Sequence, residues 1–292
     1  MMKKTQGIAG EEAIAAKGWV KAHKWLLLRR SSQILILVLF LLSPWLAKKT
    51  EVWLIKGNLA SSLTLDIVPL SDPYILLQSI FAGHWPITTG FIGAAIVLVF
   101  YFIVGGRVYC SWVCPINIVT DAAAWLRDKL RIKGGVTMNR NTRFWVLGFT
   151  LLLSLVTGTL AWELINPISI VFRSMIFGIG LAWGMILAIF LLDFAVSRRA
   201  WCGHLCPVGA FYSLVGKTSV IRINAYQREK CDDCMDCFIV CPEQQIIKPA
   251  LKGASRGISS IITSNQCTNC GRCIDVCAED VFKFDTRFKT KV

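Results

Sequence analysis

Four stretches of this chain are apolar for long enough to cross a lipid bilayer, which takes about 20 residues. They run from Ser31 to Ala47, Ile87 to Val104, Phe144 to Trp162 and Met175 to Phe194. None carries a charge in its middle, and Asp193 stands at the end of the fourth. A backbone inside lipid must satisfy its own polar groups, so each stretch is predicted to be an α-helix. Lys and Arg then set the orientation. Lys3, Lys4, Lys17, Lys21, Lys24, Arg29 and Arg30 precede the first stretch. Arg107, Arg127, Lys129, Arg131, Lys133, Arg140 and Arg143 lie between the second and third. The other two connections hold Lys48, Lys49 and Lys56, and Arg173. Both termini and the middle connection are therefore expected in the cytoplasm of a bacterium, with a multi-pass chain in its inner membrane. A signal anchor fits the first stretch better than a cleaved signal peptide, because its basic leader is long and no A-x-A-type site follows.

Within the first outer connection, Ser71-Asp72-Pro73 supplies a helix cap and a proline at the first helical position, and Gly83 can stop that helix. Its residues Tyr74, Ile75, Leu76, Leu77, Ile80 and Phe81 are too apolar for a solvated helix, so it is expected on the outer membrane surface or against the bundle. The chain also repeats itself. Arg107-Val-Tyr-Cys110-Ser-Trp-Val-Cys114-Pro115 follows the second stretch, and Arg199-Ala-Trp-Cys202-Gly-His-Leu-Cys206-Pro207 follows the fourth. A duplicated helical hairpin is the simplest account. From about Ser197 the apolar runs shorten. The expected fold is thus mainly α: four transmembrane helices in two duplicated hairpins, plus a cytoplasmic C-terminal α+β domain. The expected boundaries are 1–30 for a basic N-terminal segment, 31–196 for the membrane domain with its motif at 110–115, 197–222 for the second motif and linker, and 223–292 for the last domain.

Composition agrees. The 292 residues are 54% hydrophobic and 17% charged, against about 25% charged in soluble domains. This excludes a disordered chain. The net charge of +14 sits beside apolar runs rather than on a polar domain, which argues against nucleic acid. The 12 cysteines are clustered, unlike those of a disulfide-stapled secreted domain.

Eight of them form two runs, Cys231-x2-Cys234-x2-Cys237-x3-Cys241-Pro242 and Cys267-x2-Cys270-x2-Cys273-x3-Cys277. This is the spacing of bacterial two-cluster ferredoxins, in which the fourth cysteine of a run ligates the other cluster. On that pattern one [4Fe–4S] cluster takes Cys231, Cys234, Cys237 and Cys277. The second takes Cys267, Cys270, Cys273 and Cys241. A pair of four-cysteine zinc sites is the alternative, disfavoured by two complete sets of this spacing. The second run continues with Ala278 where proline is usual. Proline is not a ligand, so this departure concerns local geometry.

Cys110, Cys114, Cys202 and Cys206 leave three readings open. Together the four thiols could hold a third cluster or another soft-ligand metal. They could be redox-active dithiols favoured by Arg107, Arg198 and Arg199. They could also be small buried residues ending two helices. Of the histidines, His23 reads as a solvated or headgroup contact, and His204 as a ligand or proton acceptor. His84, at the outer mouth of the second helix, is a candidate acceptor for protons released by a quinol. Glu163 and Asp72 are further candidates on that side. An aromatic belt with ordinary capping residues is the plainer account of all three. Gly178-x-Gly180 lies in an apolar stretch with no phosphate loop, so no nucleotide site is expected.

At these motifs the chain resembles the NapH family, membrane subunits of the quinol dehydrogenase that serves periplasmic nitrate reductase. Matching stretches include Gly18-Trp19, Trp25-Leu-Leu-Leu-Arg-Arg30, Cys110-Ser-Trp-Val-Cys-Pro115, Gly158-Thr-Leu-Ala-Trp-Glu163-Leu-Ile-Asn166-Pro167, Cys202-Gly-His-Leu-Cys-Pro-Val-Gly209 and Cys234-Met-Asp-Cys237-Phe. The resemblance implies that electrons come from a membrane quinol and pass to a periplasmic iron–sulfur partner, NapG, and on toward nitrate reductase. It implies a subunit of a dehydrogenase complex rather than a stand-alone enzyme. The eight ferredoxin cysteines carry over as ligands, and the four Cys-x3-Cys-Pro cysteines as functionally important. Two alternatives remain: a cytosol-fed copper reductase of oxidase assembly, and a redox-sensing scaffold. A difficulty also remains, because cytoplasmic clusters and a periplasmic acceptor are separated by about 30 Å of hydrocarbon.

Overall fold

The computed structural model of the chain describes residues 9–50, 54–132, 134–136, 138–178 and 180–288. Lys3, Lys4 and Lys133, counted above among the basic positions, lie outside them. The chain divides into two compact units that do not follow sequence order. One joins the N-terminal residues up to Ser32 with Tyr101–Val113 and everything from Tyr212 onward. The other holds Gln33–Phe100 and Cys114–Phe211.

The first unit is built around an antiparallel pair of strands, Ile221–Asn224 and Lys283–Thr286, with Ile221 opposite Thr286 and Asn224 opposite Lys283. Each cysteine run turns into a short helix, Asp236–Val240 or Arg272–Asp275. Both turns use the left-handed region at matching positions: Asp233 and Asn269, then Met235 and Gly271. Asp and Asn tolerate that conformation because their side chains bond locally. Glycine at 271 has a second reason, since a Cβ there would press on the Trp25 ring. Ile223, Ile247, Leu251, Ile262, Val281 and Phe282 form the core with Cys237 and Cys273.

The N-terminal segment is fastened to this unit by carboxylates. Asp236 accepts the Gly10 N–H at 2.7 Å, at the start of helix Glu11–Lys17. Asp275 accepts Trp25 N–H (3.0 Å) and Leu26 N–H (2.9 Å), in the first turn of helix Lys24–Thr50. An anion at a helix N-terminus satisfies donors the helix cannot and opposes its dipole favourably. Lys17 and Asp280 add an ion pair.

The second unit is mostly helical: Pro73–Phe81, Thr88–Val104 up to Phe100, Ile116–Lys129, Thr142–Thr157, Pro167–Phe177 and Leu181–Leu191. The expected cap at Asp72 is present, its side chain accepting Tyr74 N–H at 2.9 Å ahead of Pro73. Asn166 repeats the device before Pro167, accepting Ile168 N–H at 3.1 Å. A three-stranded antiparallel meander, Ile55–Gly57, Ser61–Thr64 and Val68–Ser71, precedes the first of these capped helices.

Two expected helices end differently from the sequence reading. The third apolar stretch is helical over Thr142–Thr157 and closes on Gly158 at φ 64°, so Trp162 lies in a separate turn, Ala161–Ile165. The stretch from Met175 to Phe194 is not one helix. Gly178, at φ 71°, ends Pro167–Phe177, and the chain resumes helix at Leu181. Glycine adopts the left-handed conformation without steric penalty, and apolarity alone does not reveal such a break. Among the described residues, one helix, Lys24–Ala47, is long and apolar enough to cross a membrane, and Thr88–Val104 and Thr142–Thr157 are shorter apolar helices.

The polarity of the Thr142–Thr157 helix is inverted. Its buried face is Arg143, Leu147, Thr150 and Ser154, one stripe at helical spacing, while Trp145 is 79% exposed and Val156 75%. Helix Lys24–Thr50 likewise buries Arg29, Gln33 and Ser43 and exposes Ile34, Leu35 and Trp45.

In the first unit, Gly106 lies against the backbone of Tyr212 and Gly216, where a Cβ would overlap Tyr212 O. Gly106→Ala is therefore expected to destabilise that unit by about 3 kcal/mol, lowering its thermal midpoint by roughly 10 °C or more in circular dichroism. An unchanged midpoint would show that this backbone contact yields freely.

Candidate metal centres

The first unit contains two cavities, and each gathers four of the ferredoxin cysteines. Cys231, Cys234, Cys237 and Cys277 line one, with Phe238 and Leu251. Cys241, Cys267, Cys270 and Cys273 line the other, with Ile247 and Ile262. Each set takes three cysteines from one run and the last from the other. Backbone donors point at the fourth sulfurs: Glu243 N–H lies 3.4 Å from Cys241 Sγ, and Val281 N–H 3.4 Å from Cys277 Sγ.

Burial sets the charge chemistry of these thiols. It pushes Cys234 and Cys267 up to about 12, and Cys237 and Cys273 further still, with neighbouring thiolates adding to the rise in the last two. Cys231 and Cys277 rise for the same first reason. Cys270 is the exception. Burial raises it, but the guanidinium groups of Arg272 and Arg29 outweigh that and hold it below the ordinary thiol range. Four thiolates in an apolar cavity are compatible with one another only around a cationic core, and the donor set therefore fits an iron–sulfide cluster in each cavity.

Both Cys-x3-Cys-Pro motifs fold alike. Tyr109–Val113 and Trp201–Leu205 each form one wide π turn, with the first cysteine as its second residue. The second cysteine and the proline follow, and then a helix, Ile116–Lys129 or Pro207–Val215. Such turns recur at functional sites. The first motif is divided: Cys110 belongs to the unit with the two cavities, and Cys114 to the other unit.

The Cys110 turn is fastened to the Cys267 loop. Ser111 Oγ donates to Thr268 O (2.8 Å), and Trp112 Nε1 to Asn269 O (3.1 Å). Asn269 Nδ2 donates in return to Val104 O (3.0 Å). In the second unit, Asp193 accepts Trp201 N–H at 2.9 Å and Arg199 pairs with Asp121 at 2.7 Å. The Trp201 ring stacks on Trp162, with centroids 6.2 Å apart.

Family models account for both kinds of cysteine motif. A 4Fe-4S binding domain matches residues 86–133 and again 179–225, one Cys-x3-Cys-Pro motif in each. A 4Fe-4S dicluster domain matches residues 230–281. The methylamine utilization ferredoxin-type protein MauN of Methylorubrum extorquens is 51% identical over 96% of this chain and 95% of its own length. The ferredoxin-type protein NapH of Haemophilus influenzae is 48% identical over 96% of both. NapH of Escherichia coli is 45% identical over 97% of this chain and 96% of its own. The chain belongs to the NapH/MauN family of ferredoxin-type proteins. As a member it is an iron–sulfur electron-transfer protein. No solved structure matches it.

The remaining candidates of this family member are placed as follows. His204 is buried with its Nδ1 lacking a hydrogen-bond partner, and burial holds its imidazole below the ordinary range. His84 is exposed, its Nε2 3.1 Å from Gly158 O. Glu163 accepts from Asn166 Nδ2 at 3.1 Å. Asp72 is committed to its cap. His23 stacks on Trp19 at 4.8 Å. Arg107 was expected as an orienting charge and a cation near Cys110, and Glu243 was not among the candidates. The matching Cys-x-Glu at Cys241 and Cys277 was the available signal.

Cys234→Ala and Cys277→Ala are expected to abolish the same cluster signal in EPR and the same share of bound iron, although 43 residues separate them. Cys241→Ala and Cys270→Ala are expected to abolish the other. Pairing of Cys277 with Cys270 by this measure would overturn the grouping.

Proposed function

We propose that the chain is a quinol-oxidising electron-transfer subunit embedded in the bacterial inner membrane, both termini cytoplasmic, passing electrons toward a periplasmic iron–sulfur partner of the NapG kind and on to nitrate reductase. Four crossings are assigned: Lys24–Thr50, Thr88–Val104, Thr142–Thr157, and Leu181–Leu191 continued by the turn Leu192–Val196. Buried polar and outward apolar faces support this, because lipid reverses the preference of water. At about 1.5 Å per residue the Thr142–Thr157 helix covers roughly 24 Å, at the short end of what a bilayer needs.

One observation carries the electron-transfer route. Trp162, from the segment between the third and fourth crossings, stacks on Trp201, the neighbour of Cys202. Tyr74, from the segment between the first two, lies 5.6 Å from Phe211, in the helix that begins after Cys206. Its hydroxyl meets Thr150 Oγ1 at 2.7 Å, midway along Thr142–Thr157, while Gly158 at that helix's end sits beside Ala82. Helix Pro73–Phe81 therefore reads as re-entrant, descending from the outer side to the level of the second motif. This shortens the span that the sequence left open.

Each Cys-x3-Cys-Pro motif supplies two soft thiols, so Cys110, Cys114, Cys202 and Cys206 are assigned a redox or metal-ligating part in electron transfer. Bound clusters supply one-electron carriers to a two-electron donor. The chain's residues then do the rest. The cysteines hold and space the carriers, Trp162 and Trp201 line the approach to Cys202, and exposed His84 is positioned to take a proton at its imidazole. A second setting has specific support, since three MauN relatives reach 51%, 52% and 47% identity beside 48% and 45% for NapH. The same electron-transfer step would then serve methylamine utilization.

The test is anaerobic. Clusters are reduced chemically in detergent-solubilised protein, quinone is added, and reoxidation is followed by EPR with a quinone-site inhibitor as control. Fast, inhibitor-sensitive reoxidation is expected, and its absence overturns the quinol assignment. Cys110→Ala is expected to keep both ferredoxin clusters while slowing reoxidation at least tenfold. Loss of nitrate respiration or of growth on methylamine in a strain lacking the chain decides between the two settings.

A further inference from the structure

The two halves of the dicluster domain repeat the same backbone, yet one carries a buried charge pair that the other lacks. Glu243 stands two residues after Cys241, and Glu279 two residues after Cys277. Glu279 is exposed. Glu243 is 1% exposed and pairs with Arg107, itself 3% exposed, at 2.7 Å. Arg107 Nη1 also donates to Gln266 O at 2.8 Å, the residue before Cys267. Gln245 donates to the other carboxylate oxygen at 3.0 Å. Arg107 is three residues before Cys110. The pair thus joins the approach to the Cys110 turn to both ends of one cysteine set, Cys241 on one side and Cys267 on the other.

The turn itself continues the connection. Ser111, next to Cys110, is bonded to Thr268, next to Cys267, and Trp112 is bonded to Asn269, next to Cys270. A hydrogen bond one residue removed from a ligand at each end is a short covalent and hydrogen-bonded path for an electron. A carboxylate and a guanidinium shielded from water also act on a neighbouring redox centre with little screening, unlike an exposed glutamate.

We infer that the Cys241/Cys267/Cys270/Cys273 centre is the junction through which single electrons pass between the Cys110 turn and the dicluster domain, and that the Arg107–Glu243 pair is the positioning element that fixes its spacing and makes its potential unlike that of its twin. The transfer makes and breaks no bond: one electron leaves the reduced partner and enters the junction centre, or the reverse. The inference rests on the electron-transfer role proposed above and assigns the order of carriers within it. It concerns charge and geometry at Arg107 and Glu243, neither of which is a ligand.

The test is an EPR-monitored redox titration of the purified full-length protein with its clusters, each signal assigned through Cys234→Ala and Cys270→Ala. Glu243→Gln removes a negative charge beside Cys241, so the junction centre should become easier to reduce by about tenfold in its equilibrium constant, 59 mV for one electron. The twin centre should not move. Glu279→Gln, the exposed counterpart, should move neither. Glu243→Gln leaves a buried guanidinium unpaired, which can prevent folding. Arg107→Gln combined with Glu243→Gln leaves no charge behind, and there too the junction centre alone should shift. A shift of both centres, of the twin alone or of neither overturns the inference. So does a Ser111→Ala, Trp112→Phe variant that reoxidises the junction centre at the unaltered rate. Should quinone fail to oxidise even the unaltered protein, the quinol assignment falls, while the selectivity of the midpoint shifts still decides the role of the pair.

Discussion

Thiolates repel one another and are poorly tolerated away from water, yet this chain brings eight cysteines into two apolar cavities. That constraint organises the unit around it. The cysteines pack against a shared core of aliphatic residues, and the turns that present the sulfurs use left-handed positions at Asp233, Met235, Asn269 and Gly271. Backbone N–H groups aimed at Cys241 and Cys277 offset part of the negative charge on those sulfurs. Cys270, with Arg272 and Arg29 near it, is disposed toward the thiolate without help from a metal. The unit is therefore arranged so that its thiols give up their protons to a cationic core.

The second unit follows a different pattern. Its helices put Thr150, Ser154, Gln33 and Ser43 inward, and apolar side chains outward. Inward polar groups then find one another: Tyr74 reaches Thr150, Gln78 takes Trp162 N–H, and Ser43 both donates to Ile55 O and accepts its N–H. These bonds fix the capped helix Pro73–Phe81 and the meander against the longer helices. The apolar segment expected on the outer membrane surface or against the bundle is in this way drawn in among the helices of its unit.

Much of this was legible in the chain, for identifiable reasons. Cysteine spacing determines which sulfurs can surround one centre, so the grouping in the two cavities follows the ferredoxin pattern residue by residue. Asp72-Pro73 announces a helix start because a capping side chain and a proline suit the same two positions. The break at Gly178 was not legible, since a hydropathy pattern reports which solvent a segment prefers and not where its backbone turns. The meander escaped for a similar reason. Its second hairpin turns at Leu65 and Asp66, both left-handed, and leucine gives no warning of that conformation. The Arg107–Glu243 pair spans 136 residues of sequence, and nothing local in either segment points to the other.

Duplication supplies equal halves, whereas a chain of carriers needs unequal ones. In this protein the inequality is introduced from outside the duplicated cysteine runs, by segments that continue into apolar helices. Trp25, in the first turn of Lys24–Thr50, rests on Gly271, and Asp275 holds that helix's N–H groups. Arg107, just beyond Thr88–Val104, enters beside Glu243. Both contacts fall on the half that contributes Cys267, Cys270 and Cys273 or on the cysteine that joins it. The corresponding positions of the other half, Met235 and Glu279, receive neither the ring nor the guanidinium. Asp236 there takes the start of the short helix Glu11–Lys17. Within this unit the residues contributed from outside the cysteine runs thus favour one cysteine set over the other.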